Sequence, residues 1–172
     1  MEPGWTWIRE SPASWQLTTS ELRIELDYGD LWSTFTNNCR NLLIRPAPST
    51  DFTIEAHLVA DLVANVNQAL IVVYENDDSY LRLGLLNGGG VLYVNHVHEI
   101  GGVPQPQSWD YGVADVHLRL SVAGAGAMMW FSPDGVEWTQ HASVPDLSFA
   151  PVYVGLVAFD GFRAGQFLRM LL

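Results

Sequence analysis

Apolar and polar residues alternate with a period of two along most of this chain. Glu21–Leu26 sets Leu22, Ile24 and Leu26 against Glu21, Arg23 and Glu25. Asp51–Ala60 sets Phe52, Ile54, Ala56 and Leu58 against Thr53, Glu55, His57 and Val59. Asp115–Val122 sets Val116, Leu118 and Leu120 against His117, Arg119 and Ser121. Such spacing marks half-buried strands, because a helix would repeat its apolar positions every three or four residues. The densest stretch is Asn67–Leu86, two apolar runs flanking the polar knot Glu75-Asn76-Asp77-Asp78-Ser79. It predicts a hairpin with Gln68, Leu70, Val72 and Tyr74 on one face of its first strand and Ala69, Ile71 and Val73 on the other.

The remaining strands are shorter. Trp5–Ile8 reads as an edge strand, Trp15–Leu17 as a short one, and Asn41–Arg45 as a strand stopped by Pro46-Ala47-Pro48. Residues 31–39, with Trp32 and Phe35, read as a loop. Gly88-Gly89-Gly90 turns the chain into Val91–Glu99, and a Gly- and Pro-rich loop from Gly101 to Ser108 ends at Trp109 and Tyr111. Met128–Ser132 and Val136–His141 form a hairpin about Asp134-Gly135. Pro151–Phe159 is a continuous apolar strand, and Phe167–Leu171 closes the sheet. With about a dozen strands, no amphipathic helix, no repeat and no linker, residues 1–172 form a single all-β domain, a two-sheet antiparallel sandwich.

Composition narrows the partners. The 172 residues are 48% hydrophobic and 16% charged, as in a globular protein. The net charge of −11 argues against a nucleic-acid partner, which calls for clustered basic residues. Every basic residue is Arg, a residue suited to bidentate and stacked contacts. The one cysteine, Cys39, excludes an intramolecular disulfide. Met1–Trp5 lacks the features of a signal peptide, and no apolar run is long enough to span a membrane. The expectation is a soluble, cytoplasmic chain with no membrane partner, although a mature secreted fragment would read alike.

The order and spacing of several motifs resemble a known family. They are Trp5-Thr6-Trp7-Ile8-Arg9-Glu10, Trp15-Gln16-Leu17, Leu22-Arg23-Ile24, Asn41-Leu42-Leu43-Ile44-Arg45, Asp51-Phe52-Thr53-Ile54-Glu55, Asp77-Asp78-Ser79-Tyr80, Phe131–Thr139 and Phe159-Asp160-Gly161-Phe162. Together they resemble a bacterial and fungal family of concanavalin A-like β-sandwich proteins labelled as a domain of unknown function. The same sandwich forms the C-terminal domain of family-43 glycoside hydrolases, the β-xylosidases and arabinofuranosidases. The resemblance implies a jelly roll of two curved sheets and an association with carbohydrate. It implies that association more than catalysis, which in those enzymes belongs to a separate propeller domain. It also admits a structural calcium ion at Asp160 with Glu2 or Asp30. The Asn76-Asp77-Asp78 cluster is the alternative calcium site.

The candidate chemistry lies on polar strand faces. Sugars are held by aromatic rings against their C–H faces and by planar polar groups that bridge hydroxyls. Gln68, Tyr74 and Arg82 form the expected floor of a groove on the concave sheet, with His96 and His98 on the next strand. His117, Arg119 and Trp130 would extend it and Trp109 would wall it. Arg45 is a weaker member, with a structural pairing to Glu55 as its alternative. His96-x-His98 also has the spacing of a metal pair, with His117 or Glu99 as third ligand, against two plain sugar- or solvent-facing histidines. Glu25, Asp27 and Asp30 resemble the acidic strand of concanavalin-like endoglucanases. The alternative for those acids is an exposed edge strand. Cys39 beside Arg40 is either an activated thiol or a loop cysteine without a role. There is no nucleophile elbow, phosphate loop or dinucleotide fingerprint.

These readings converge on a non-catalytic module that binds a saccharide and requires no cofactor. The alternatives are a protein-interaction or homodimerising module, a regulatory protein of carbohydrate metabolism, and a glycoside hydrolase.

Overall fold

Each alternating stretch becomes a strand because period-two patterning gives a pleated ribbon one face to bury. The computed structural model describes residues 3–48, 51–161 and 166–171, the last segment as backbone. In chain order the strands are β1 (Thr6–Ile8), β2 (Trp15–Leu17), β3 (Glu21–Tyr28), β4 (Leu31–Trp32), β5 (Thr36–Asn37), β6 (Leu42–Pro46), β7 (Phe52–Ala60) and β8 (Asn67–Asn76). They continue as β9 (Ser79–Gly88), β10 (Val91–Ile100), β11 (Val103–Asp110), β12 (Asp115–Ala123), β13 (Gly126–Ser132), β14 (Thr139–Val144), β15 (Tyr153–Asp160) and β16 (Gln166–Leu171). A short 3-10 turn covers Pro12–Ser14.

Two antiparallel sheets result. The first runs β1-β6-β15-β8-β9-β10-β11 and the second β2-β3-β16-β7-β12-β13-β14. They meet at one corner, where β15 and β3 pair in parallel at Phe159↔Asp27 and Asp160↔Tyr28. The predicted hairpin is β8–β9, in the middle of the first sheet. The two sheets pack on Leu22, Ile24, Leu58, Leu118 and Leu120 from one side and Ile71, Val73, Leu81, Leu83 and Leu156 from the other.

A second, smaller core lies on the outer face of the first sheet. Leu42, Leu70, Val72, Tyr74, Tyr80, Val97 and Phe159 pack there under Leu31 and Cys39. The 31–39 segment is therefore more than the expected loop. It folds through the β4–β5 ribbon and lies over the sheet. This cover explains why β8 is buried on both faces from Asn67 to Tyr74.

Two elements differ from the sequence expectation. The Gly101–Ser108 loop is largely strand: β11 pairs with β10 from Ile100↔Val103 to Tyr93↔Asp110. Pro104 and Pro106 are tolerated because β11 is an edge strand and lends hydrogen bonds on one side only. The strand expected at Val136–His141 starts at Thr139. Asp134 holds the preceding residues in a wider turn, its Oδ1 accepting from the amides of Val136 at 2.8 Å and Glu137 at 3.0 Å. Gly135 sits at φ 74°, and a Cβ there would stand 3.0 Å from the His117 ring.

Candidate functional site

The expected floor of the groove is a sealed polar cluster. Arg82 is 2% exposed and Gln68 is 4% exposed. Arg82 Nη1 donates to Gln68 Oε1, and the guanidinium lies 5.5 Å from the Phe159 ring centroid. The Tyr80 hydroxyl reaches the Leu31 carbonyl and lies 2.6 Å from Oε2 of Glu99. The same Glu99 oxygen accepts from the Ser33 amide at 2.9 Å. Burial pushes the Tyr80 phenol far above its usual range, with Glu99 adding to the shift. Asp30 is also raised by burial, and the charge of Arg82 opposes that rise. Tyr74 donates to Asp77 at 2.8 Å, so its hydroxyl is committed to the β8–β9 turn. Gln68, Tyr74 and Arg82 therefore lie beneath the chain's own 29–41 segment instead of lining an open groove.

His96 and His98 do not share that face. The β9–β10 register sets Val97 opposite Arg82, and His96 and His98 opposite Leu83 and Leu81. The two-residue turn at Gly89-Gly90 pairs Gly88 with Val91, so even positions on β9 face odd positions on β10. Both histidines point between the sheets. Glu99, on the opposite face of β10, cannot join them as a metal ligand.

His117 and Arg119 lie on the outer face of the second sheet. The His117 ring stacks on His57 at 4.0 Å between centroids. Burial and the neighbouring His57 lower the His117 pKa. Arg119 Nε donates to Glu55 at 2.7 Å, and its guanidinium lies 3.8 Å from the Trp138 ring centroid. Trp130 sits opposite Arg119 on the same face. Glu55 thus pairs with Arg119, while Arg45 sits 5.4 Å from the Trp5 ring centroid.

What the structure does bring together is His96, His98 and Trp109. Across β10–β11, His98 stands opposite Gln105, His96 opposite Gln107 and Val94 opposite Trp109. Directly opposed residues share a face, so Gln105, Gln107 and Trp109 form a row on the edge strand, beside the histidines. A groove of about 410 Å³ runs here between the edges of the two sheets, lined by His96, His98, Gln105, Gln107, Ser143 and Asp146 among others. Trp109 lies next along the row and is 53% exposed. His98 Nε2 donates to the Leu147 carbonyl at 2.9 Å, and His96 Nδ1 lies 3.0 Å from His141 Nε2. Burial lowers the His96 pKa to about 4, helped by His141 and His98. Burial lowers His141 as well.

Sequence reading missed Gln105, Gln107 and His141. The alternation Val103-Pro104-Gln105-Pro106-Gln107 was the available signal for the first two, masked by the prolines. His141 carried none. The β13–β14 register shifts between Met129 and Trp130, which face Ala142 and Gln140, so His141 is the extra residue of a bulge. A bulge re-aims its side chain, and here it turns the imidazole inward.

A larger cleft of about 910 Å³ is lined by Leu22, Leu43, Ile71, Leu118 and Val154 of the inter-sheet core, with Trp5, Arg45, Glu55 and His57. Its acid and imidazole already have partners: Glu55 holds Arg119, and His57 lies 2.6 Å from Asp115.

The other candidates disperse. Asp77 is held by Arg9 and Tyr74, and Asp78 by Asn37 at 2.6 Å, so the turn is tied down by protein groups. Asp160 is buried, and its carbonyl accepts from the Gly29 amide at 3.0 Å. Glu2 lies outside the described residues. Among the described residues no group of three or more His, Cys, Asp or Glu is placed to hold a metal ion. Glu25 and Asp27 sit on β3, whereas Asp30 faces Arg82 and Glu99 under the first sheet. Those three acids do not share a cleft. Cys39 is buried beside Arg9, not activated by Arg40, and burial pushes its thiol up to about 11.

The sequence profile of β-xylosidase C-terminal concanavalin A-like domains matches residues 1–168. Among solved structures, the GH43 protein BlXynB of Bacillus licheniformis superposes with a TM-score of 0.89 at 18% identity, over 99% of this chain and 36% of its own. A xylan β-1,4-xylosidase of Bacillus halodurans C-125 gives 0.81 at 15% identity, over 99% and 38%. A functionally unknown protein of Saccharomyces cerevisiae gives 0.83 at 20% identity, over 98% and 93%. The chain spans only 36% and 38% of the two bacterial proteins. At these identities the likeness carries the fold alone, a concanavalin A-like sandwich. No curated protein matches the sequence.

Proposed function

We infer that this chain, which belongs to the family of β-xylosidase C-terminal concanavalin A-like domains, is a non-catalytic module that binds a saccharide in the edge groove. The observation that carries this reading is the row of Gln105, Gln107 and exposed Trp109 beside His96 and His98. An indole face, planar amides and imidazoles supply stacking together with directional donors and acceptors. The groove volume of about 410 Å³ falls in the range of small-ligand pockets. The carboxylate in its lining is Asp146. Glycoside hydrolysis uses two carboxylates flanking the bond, which supports a binding role over a catalytic one.

Calorimetry and a glycan array with xylo- and arabino-oligosaccharides test the reading. Binding at neutral pH that is lost in Trp109→Ala is the expected result. Absence of binding to every sugar at millimolar concentration overturns it.

One feature favours a second reading, a protein-interaction module. Phe35, between β4 and β5, is 90% exposed, and aromatic rings are enriched where proteins meet partners. A partner or second copy that dissociates on Phe35→Ala but not on Trp109→Ala supports that role. Monomeric sedimentation without a co-purifying partner counts against it.

A further inference from the structure

Beside the edge groove the two sheets touch through a pair of imidazoles. His96 on β10 belongs to the first sheet and His141 on β14 to the second, and their rings meet edge to face at 5.0 Å between centroids. Nδ1 of one lies 3.0 Å from Nε2 of the other. A hydrogen bond between two imidazoles needs one N–H donor and one bare nitrogen, so it exists only while at least one ring is neutral. The neighbouring cross-sheet bond behaves differently. His98 Nε2 donates to the Leu147 carbonyl, and a protonated His98 keeps that donor.

We propose that the His96–His141 contact is an acid-labile latch across the groove, holding the two sheet edges in binding geometry at neutral pH and releasing β14 when both rings are protonated. This regulation rests on the saccharide reading of the same groove.

The surroundings favour this behaviour. Both imidazoles are buried, so a proton on either is poorly solvated. Along β10 the nearest titratable group is His98, which repels a charge on His96. From β11, Gln107 faces His96 and carries no charge, while its backbone favours the charged form of His141 and so works against the burial that lowers it. From β13, Phe131 packs 6.2 Å from the His141 ring. The carboxylate in the groove lining is Asp146, which is exposed. The bulge at His141 places the imidazole for this contact. Without that register shift His141 would face solvent, and the strand gives up regular pairing at the one residue that completes the latch.

The test begins with the ligand-free protein. Ring-nitrogen NMR at pH 7 is expected to show His96 Nδ1 and His141 Nε2 as one donor and one acceptor. Both rings are expected to titrate well below an exposed histidine. Amide protection factors on β14 are expected to fall at least tenfold relative to β12 between pH 7 and pH 4. In His141→Gln, whose amide can pair with either protonation state of His96, that pH dependence is reduced, leaving only the part due to burial of His96 itself. Titration of both rings at the ordinary value, or β14 protection unchanged across the range, overturns the latch.

Calorimetry with xylotriose at pH 7 and pH 4 then separates the two ideas. Binding lost at pH 4 in the native protein and kept in His141→Gln supports regulation of the groove. Equal affinity at both pH values overturns it. No binding at pH 7 overturns the saccharide reading, and the latch is still decided by the NMR and exchange results.

Discussion

Arg9 and Asp77 close a two-pronged ion pair, Nη1 to Oδ2 at 2.7 Å and Nη2 to Oδ1 at 3.0 Å. They lie 68 residues apart, and the pair ties the end of β1 to the β8–β9 turn. Arg9 Nε also donates to the Cys39 carbonyl at 2.6 Å, so one side chain fastens both the turn and the covering segment. Arg9→Ala leaves Asp77 and a carbonyl short of donors and is expected to cost roughly 1–3 kcal/mol in urea unfolding. Arg9→Lys recovers little of this, because an ammonium cannot hold both carboxylate oxygens and the carbonyl in one plane.

Tyr80→Phe tests the sealed cluster under the 29–41 segment. It removes the hydroxyl shared by Leu31 O and Glu99 Oε2 while keeping the ring. Both acceptors stay buried, so a loss of about 1–3 kcal/mol is expected, without loss of saccharide binding at the distant groove. Loss of binding at full stability would place the ligand on the covered face instead.

Acid sensitivity follows from His96. Burial pushes its pKa in the folded state down from the ordinary 6.5 to about 4. Between those values the unfolded chain holds a proton the folded one lacks, so stability falls as pH drops from 6.5 towards 4. Below that window His96 contributes no further loss. The integrated loss is on the order of 3 kcal/mol. Urea midpoints measured across the window check this, and His96→Gln flattens the slope.

Trp109→Ala is expected to weaken saccharide binding tenfold or more while leaving the melting temperature nearly unchanged. The indole is half in solvent, so removing it opens no cavity, while stacking on a sugar would be lost. Calorimetry and thermal melts on the same samples check both halves.

Burial pushes the Cys39 thiol up to about 11. Native protein at pH 8 is expected to react with a disulfide reagent at least a hundredfold more slowly than denatured protein, because the thiolate is scarce and enclosed. Reaction at the rate of a free thiol would show that the 29–41 segment opens readily.

The alternation of apolar and polar residues determined most strands and the two-layer sandwich, because a strand's side-chain period is local and fixed. Val103–Asp110 escaped it because prolines read as a loop until an edge position excuses their missing N–H groups. Facing within a strand was equally legible: Gln68, Leu70, Val72 and Tyr74 do share a face. Facing between strands was not. A two-residue turn at Gly89-Gly90 sends His96 and His98 to the side opposite Arg82, and a one-residue bulge sends His141 inward. Only the tertiary structure decided which polar face stayed open. It laid the 29–41 segment over Gln68, Tyr74 and Arg82 and left Gln105, Gln107 and Trp109 at an edge. Burial is a property of what packs above a face, and that partner lies dozens of residues away along the chain.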